Sequence, residues 1–505
     1  MIFAEAPDIR FHFMGFNKSH ILNSNFPFRL IAIPLVILLF SCSGKKSLFT
    51  QLTPEQTGIN FINKNTDADS LSILDYLYYY NGGGVAIGDI NNDGLPDIFF
   101  TSNRGGNKLY LNKGNMHFED ITDKAGVAGV NDWTTGVTMA DVNGDGYLDI
   151  YVCGVSNHTP DKEFNPNAHT FFKNSRNRLF INNGNNTFTE ESKKWGLDVP
   201  GYNTQAVFFD YDNDGDLDMF LLQHSVHQTA TYGDTSGRKN YSAVSGGKLF
   251  RNDGDHFTDV TKSSGIISSP LGYGLGVGVA DMNHDGYEDI YVSNDFNEND
   301  YYYLNQGNGT FKEINKQAFG HESKFSMGND IADINNDGWP DIMTLDMLPE
   351  DEKALKSSQG EYSFDTYNFF SKIGYTYQYS KNCLQLNIGR GYKFADISLY
   401  SGVAATDWSW SPLIADYNLD GINDIFVSTG IKTRQNDLDY LHFFSAINAN
   451  HPRVKGDRQF DKDFLSMAPS GAWHSYIFEG EEDIKYKDMS VDWGFEKPSL
   501  SQGAA

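Results

Sequence analysis

The sequence predicts an all-β chain folded as a β-propeller, and three observations predict it. One aspartate-rich motif of nine residues recurs six times, a β-rich apolar run follows every copy, and turn residues punctuate the stretches between copies. Four short strands per motif, repeated in series, read as propeller blades. Composition agrees: aromatics form 14 % of the 505 residues and Gly occurs 49 times, a mixture that suits short strands and tight turns better than a helical bundle. The formal charge of −27 excludes nucleic acid as a partner, because phosphates would be repelled.

In chain order the first element is a leader. Residues 30–40 form an apolar run of eleven, preceded by Arg29 and followed by Ser41-Cys42-Ser43-Gly44. The run is too short to span a bilayer as a helix and has the length of a signal-peptide core. Leu39-Phe40-Ser41-Cys42 resembles a bacterial lipobox, which implies diacylation of Cys42 and attachment to a membrane without spanning it. The alternative is an ordinary secretion signal with an incidental Cys. Residues 1–13 exceed what such signals need, so Met14 is a second candidate start. The expected domains are a leader over 1–42 and a propeller over 43–505, exported and lipid-anchored at the outer membrane or cell surface. Cys153 and Cys383 lie in apolar stretches and read as buried free thiols rather than a disulfide.

The six motifs have the form Asp-x-[Asn/Asp]-x-Asp-Gly-x-x-Asp. They are Asp89-Ile-Asn91-Asn-Asp93-Gly94-Leu-Pro-Asp97, Asp141-Val-Asn143-Gly-Asp145-Gly146-Tyr-Leu-Asp149 and Asp210-Tyr-Asp212-Asn-Asp214-Gly215-Asp-Leu-Asp218. The other three are Asp281-Met-Asn283-His-Asp285-Gly286-Tyr-Glu-Asp289, Asp333-Ile-Asn335-Asn-Asp337-Gly338-Trp-Pro-Asp341 and Asp416-Tyr-Asn418-Leu-Asp420-Gly421-Ile-Asn-Asp424. A small apolar stretch precedes each copy, as in Gly84–Gly88, and a run such as Ile98-Phe-Phe or Ile150-Tyr-Val follows. Next comes a Leu-Tyr-Leu-Asn-x-Gly hairpin, at 109–114 and in related form at 179–184 and 249–254. Last comes Phe-x-x-[Ile/Val]-Thr-x-x-x-Gly, clearest at 118–126 and 257–265.

These units resemble the FG-GAP/VCBS repeats of bacterial surface proteins, which are related to the integrin α-chain propeller. The resemblance covers roughly residues 47–505 and implies a propeller, most often seven-bladed, with calcium in the hairpin loops. The residue chemistry supports the same metal. Ca²⁺ prefers six to eight oxygen ligands, which side chains at positions 1, 3, 5 and 9 and a carbonyl at position 7 can supply. Gly at position 6 permits the sharp turn. Those side chains total nineteen Asp and five Asn, and one ion per loop would move the charge from −27 to about −15. The expected affinity is that of extracellular modules, ~10⁻⁴–10⁻³ M.

Ring closure is expected to use both chain ends. Phe49-Thr-Gln-Leu-Thr53-Pro-Glu-Gln-Thr-Gly58-Ile59 reads as the last strand of a blade, yet no motif precedes it. Elsewhere a terminal Gly precedes the next motif by 14 to 16 residues, so Gly494 predicts a seventh motif at about 508–510, beyond Ala505. The expectation is a seven-bladed type with six complete repeats, cut before the seventh. A natural six-bladed ring is the alternative.

Strands are lettered A to D from the axis outward, and the calcium loop joins A to B. The long B–C insertions, residues 154–177, 223–247, 346–381 and 430–472, then crowd the opposite face. They carry Phe171, Phe172, Tyr232, Tyr241, Tyr362, Tyr367, Phe369, Phe370, Tyr375, Tyr377, Tyr440, Phe443 and Phe444, with His224, His227 and Arg434. These aromatics suit a glycan or a surface protein; the bland alternative is that the loops pack on each other and cap the ring. Residues 76–80 and Trp133, Trp408 and Trp410 read as core or channel lining. No nucleophile elbow, His-Glu-x-x-His, phosphate loop or dinucleotide fingerprint is present in the sequence, and His224 with His227 makes a weak zinc signal. The function expected is non-catalytic binding or adhesion. A calcium-dependent polysaccharide lyase and a structural part of an envelope assembly are the alternatives.

Overall fold

A computed structural model describes residues 47–65, 71–129, 133–155, 175–225, 234–358, 362–450 and 458–505. Among them are six four-stranded antiparallel sheets, each paired A-B-C-D in sequence order. Blade one is Val85–Gly88, Asp97–Phe100, Lys108–Asn112 and Phe118–Asp120, and blade two Thr134–Ala140, Asp149–Gly154, Arg178–Asn182 and Phe188–Glu190. Blade three is Asn203–Phe209, Asp218–Gln223, Lys248–Asn252 and Phe257–Asp259, and blade four Gly274–Ala280, Asp289–Asn294, Tyr301–Asn305 and Phe311–Glu313. Blade five is Asn329–Ala332, Asp341–Thr344, Cys383–Asn387 and Phe394–Asp396, and blade six Ser409–Ala415, Asp424–Thr429, Tyr476–Glu481 and Lys485–Asp488. The arrangement is that of an all-β, six-bladed propeller.

The periodic pattern explains the layering. Strand B is buried along its whole length in blades two to six, as befits a strand covered on both faces by neighbouring blades. Apolar clusters fill the seams: Phe99, Leu109, Ile150 and Phe180 pack between blades one and two, and Phe220, Ile290 and Tyr303 between three and four. At the axis the inner strands approach backbone to backbone. Gly328 N–H donates to the Trp410 carbonyl of the next blade at 2.8 Å, and a Cβ at Gly328 would collide with that oxygen.

Between blade six and blade one lie residues 49–58 and 501–505. In three units the closing glycine (Gly126, Gly196 and Gly265) abuts the carbonyl of the Phe that opens strand D of the next blade, and Gly402 abuts that of Tyr486, the second residue of its strand D. In blade four Phe319 stands in the glycine's place and stacks on Phe394 of blade five, with centroids 4.8 Å apart. Gly494 abuts Phe49 in the same way, and Gly58 abuts Phe118. Phe49 N–H also donates to the Trp493 carbonyl at 3.2 Å, as Phe257 N–H does to that of Trp195 at 2.9 Å. Residues 49–58 thus lie where a strand D lies, and a short helix, Pro54–Thr57, ends on left-handed Gly58 like Thr122–Ala125 on Gly126. On the inside, Ser501 N–H donates to Thr429 O at 3.0 Å, the contact that Thr134 makes to Ser102 O at 3.3 Å. The described residues hold no seventh four-stranded sheet.

At the axis lies a half-open cavity of about 190 Å³, lined by segments of all six inner strands and by 502–504. Tyr76 and Tyr78 line it too, and with Tyr79 and Tyr80 they are buried in the axial core beside Trp133 and Trp410. Cys153 and Cys383 are buried free thiols. Among the described residues no helix is long and apolar enough to cross a membrane. The leader 1–42, Cys42, Phe171, Phe172, His227 and Tyr232 fall outside the described residues.

Candidate functional site

The motifs form six tightly curled A–B loops. Asp89 shows the design: its Oδ1 accepts Asp93 N–H at 3.1 Å and its Oδ2 accepts Gly94 N–H at 2.7 Å, while Asp93 Oδ1 accepts Leu95 N–H at 2.9 Å. The same bonds recur in the later loops, for instance from Asp141 to Asp145 and Gly146 and from Asp416 to Asp420 and Gly421. Position 6 requires left-handed backbone, with φ +98° at Gly215.

Position 9 has a role that the spacing alone does not disclose. Asp97 Oδ2 accepts Ile90 N–H at 3.0 Å and Oδ1 accepts Asn112 N–H at 2.7 Å, so this carboxylate joins its own loop to strand C. Asp149, Asp218, Asp289, Asp341 and Asp424 repeat the pair of bonds. Burial, together with the neighbouring loop carboxylates, lifts Asp97 to about 6 and Asp149, Asp218, Asp289 and Asp341 to about 7. The strand C asparagine then reaches backward: Asn182 Nδ2 donates to Ile90 O of blade one at 2.8 Å, and Asn305 Nδ2 to Tyr211 O of blade three at 2.8 Å.

Loop three differs from its siblings. Where position 3 is Asn, its amide donates to the position 5 carboxylate, as from Asn91 to Asp93 at 3.1 Å. Asp212 has no such proton, and its buried Oδ1 receives no hydrogen bond. Burial and the charges of Asp214 and Asp210 push its carboxyl up. Asp210, Asp212 and Asp218 offer oxygens within 4.8 Å of one another. A cluster of hard oxygens with one unpartnered carboxylate oxygen fits a divalent cation of the calcium class.

The insertion face shows which predicted aromatics are available. His224 is core: its Nε2 lies 2.8 Å from Tyr76 Oη and its Nδ1 2.9 Å from Ser225 O. Arg434 is buried in an ion pair with Asp407 at 2.6 Å, and Tyr375 and Tyr440 are buried. The insertions also interlock, as the bland reading expects. Thr235 N–H of blade three donates to Ile373 O of blade five at 3.3 Å, and Arg238 pairs with Glu298 at 2.7 Å. A bridge between Ser358 and Asp437 joins the insertions of blades five and six.

Of the aromatics that stay exposed, which include Tyr241, Tyr362 and Phe369, three tyrosines of blade five form one group. The blade five insertion folds into a helix, Phe364–Lys372, with its N-cap at Ser363, and a short strand, Gln378–Tyr379. Tyr367 on the helix lies near-parallel to Tyr377 (5.7 Å, 12°) and to Tyr379 (5.9 Å, 27°), and its hydroxyl donates to that of Tyr379 at 3.1 Å. Tyr377 is 52 % and Tyr379 41 % exposed. Tyr379 was missed by sequence reasoning, although the alternation Tyr377-Gln-Tyr379 at an extended segment signals one shared face. His321 sits edge-on to Tyr379 at 5.1 Å.

The FG-GAP-like repeat family matches residues 89–152, 170–221 and 281–344, which contain loops one to five. Cartilage acidic protein 1 of Xenopus tropicalis is 29 % identical over 221 residues, covering 43 % of this chain and 29 % of that protein. The mouse protein of the same name is 29 % identical over 216 residues, again 43 % and 29 %. The chain therefore spans less than a third of the length of these curated relatives. Among solved structures, an Agrocybe aegerita lectin specific for non-reducing terminal N-acetylglucosamine is 16 % identical, with 71 % of this chain and 78 % of that one covered at a TM-score of 0.38. The V. cholerae biofilm matrix protein Bap1 is 13 % identical, with 62 % and 38 % covered at a TM-score of 0.29. At those scores the likeness is loose. The expected assignment to bacterial surface lipoproteins is corrected by the curated relatives, which are vertebrate proteins; what stands is the resemblance to FG-GAP repeats and, among vertebrate proteins, to cartilage acidic protein 1.

Proposed function

We propose that this chain is a calcium-stabilised, non-catalytic binding propeller whose ligand is a glycan seated on Tyr367, Tyr377 and Tyr379. The exposed tyrosine stack carries the reading: sugar rings present apolar C–H faces that pack on aromatic rings, and the Tyr367–Tyr379 hydrogen bond ties two of the three rings together. The test is a glycan-array screen of the wild-type protein, repeated with Tyr377→Ala and Tyr379→Ala. Loss of the retained glycan in both variants, with unchanged melting, supports the site. Retention in both, or release of ultraviolet-absorbing unsaturated sugars in place of binding, overturns it.

Calcium is proposed for the six A–B loops. Positions 1, 3 and 5 hold the ion: Asp89, Asn91 and Asp93 in loop one and their counterparts after it. Position 9 joins them, as Asp218 does beside Asp210 and Asp212. When bound, the ion neutralises clustered carboxylates and stabilises the folded loops. The observation behind this is the unpartnered Asp212 Oδ1 in an all-oxygen cluster. Magnesium, which demands near-octahedral geometry, is expected to raise the melting temperature much less than calcium in side-by-side scans.

The ring is proposed to be of the seven-unit type, with residues 49–58 in the outer-strand position of the seventh unit and 501–505 in the inner one. The contacts of Gly494 with Phe49 and of Ser501 with Thr429 support it. Gly494 has φ +98°, and an added Cβ would meet Ser47 Oγ at 2.6 Å and Phe49 O at 2.8 Å. Gly494→Ala is expected to lower stability by about 2 kcal/mol in denaturant titrations. An unchanged midpoint would remove this seam from the ring.

A further inference from the structure

Blade five carries a group of side chains outside the calcium loops, which touches the tyrosine stack only where His321 meets Tyr379. His321, Cys383 and Asp396 each offer one ligand atom, and these atoms lie within 4.8 Å of one another. They come from separate segments. His321 precedes the two-residue strand Glu322–Ser323, Cys383 opens strand C, and Asp396 closes strand D. Asp396 is oriented by backbone: its Oδ1 accepts Leu384 N–H and Ser398 N–H, both at 3.1 Å. Its Oδ2 faces the group, 2.9 Å from His321 Nε2 and hydrogen-bonded to Lys381.

Comparison with blade one shows what is special here. There Lys108 opens strand C and pairs with Asp120, which closes strand D, at 2.7 Å. The registers Tyr110↔Asp120 and Gln385↔Asp396 place Cys383 at the Lys108 position. Blade five has thus exchanged the repeat's cation for a thiol, brought a lysine from two residues earlier, and added an imidazole. Lys381 Nζ stands 3.6 Å from Cys383 Sγ and 3.0 Å from Ser398 Oγ.

We propose that His321, Cys383 and Asp396 bind a thiophilic divalent cation of the zinc type, with Lys381 as the resident cation that the metal displaces. The donor set decides the metal. Imidazole nitrogen, thiolate and carboxylate together suit Zn²⁺ or Co²⁺, whereas Ca²⁺ takes oxygen alone. Binding replaces the thiol S–H bond by a sulfur–metal bond and releases the proton to solvent, while the Lys381 ammonium swings to water. Access runs past His321, whose side chain is 27 % exposed, while those of Lys381 and Asp396 are 11 % and 5 % exposed. The cluster holds three protein ligands and leaves a fourth tetrahedral position for water.

The experiment is a Co²⁺ titration of the full chain in millimolar calcium, read by the thiolate-to-cobalt charge-transfer absorption in the near ultraviolet. The wild type is expected to develop this band at one equivalent. Cys383→Ser is expected to lose it, although Cys42 and Cys153 remain, and His321→Ala to weaken binding. Lys381→Met is expected to bind about tenfold more tightly, because the competing ammonium is gone. Circular dichroism checks that each variant is folded. Absence of the band in both the wild type and Lys381→Met overturns the proposal, as does a band that persists in Cys383→Ser. Weaker binding in Lys381→Met would overturn the displacement.

Discussion

Asn213, at position 4 of loop three, donates its Nδ2 proton to the carbonyl of Gly286 in loop four at 2.8 Å, across 73 residues of chain. Asn92 reaches Gly146 O in the same way at 2.9 Å, and Asn336 reaches Gly421 O at 2.9 Å. His284 instead stacks on Trp339, with centroids 4.2 Å apart. Position 4 is left-handed throughout, which Asn tolerates better than most residues. Asn213→Gly keeps that backbone and loses the tie. It is expected to cost about 1 kcal/mol in denaturant titrations under chelator. An unchanged midpoint would show that the tie adds nothing.

Asp212 makes loop three the most acidic of the six. Asp212→Asn supplies the amide proton that the other loops use at position 3. The variant is expected to melt higher than the wild type in chelator and to bind calcium at that loop about tenfold more weakly. Calorimetric calcium titration together with melting curves reads both effects, and a variant that melts lower in chelator would contradict the first.

Acid should weaken the axis through His224. The ring is neutral, donating from Nδ1 to Ser225 O and accepting from Tyr76 Oη at Nε2, and burial lowers its pKa to about 4. A histidine whose folded pKa lies below the unfolded value of about 6.5 contributes stability that is complete above 6.5. That stability is lost as pH falls through about 4, up to about 3 kcal/mol. The position 9 aspartates are shifted the other way and gain on acidification, so the comparison must be with His224→Gln. The wild type is expected to lose stability relative to that variant between pH 6.5 and 4.

Arg434 and Asp407 form a buried pair at the base of the blade six insertion, and Asp407 Oδ1 also accepts Trp408 N–H at 2.6 Å. Arg434→Met leaves a buried carboxylate without its cation and is expected to cost about 3–5 kcal/mol. Adding Asp407→Asn should recover much of that loss in equilibrium denaturation, since the uncompensated charge is then gone.

The loops, their number and the face of the insertions were legible because they are local. Asp89 to Asp97 is one turn whose residue types state its geometry, and strand B follows directly. The second duty of Asp97, at Asn112 N–H, was not legible, because it depends on the register between strands B and C. The insertions resisted for the same reason. Tyr367, Tyr375 and Tyr377 look alike in sequence, yet Tyr375 is turned inward against Arg238 while Tyr377 faces water. Cys383 is the buried free thiol that the sequence predicts, but its neighbours His321 and Asp396 were not legible, because the three meet only through the blade five sheet.

The backward reach of Asn182, Asn252, Asn305 and Asn387 means that repeats one to four do not finish their own loops. In these four loops the carbonyl at position 2 is held by the following blade, so the unit of folding is offset from the unit of sequence. A single repeat excised at motif boundaries would leave its loop untethered and its asparagine idle. New copies of this module can therefore be added only between neighbours that already present both halves of the joint, which favours growth within a closed ring over the budding of solitary repeats.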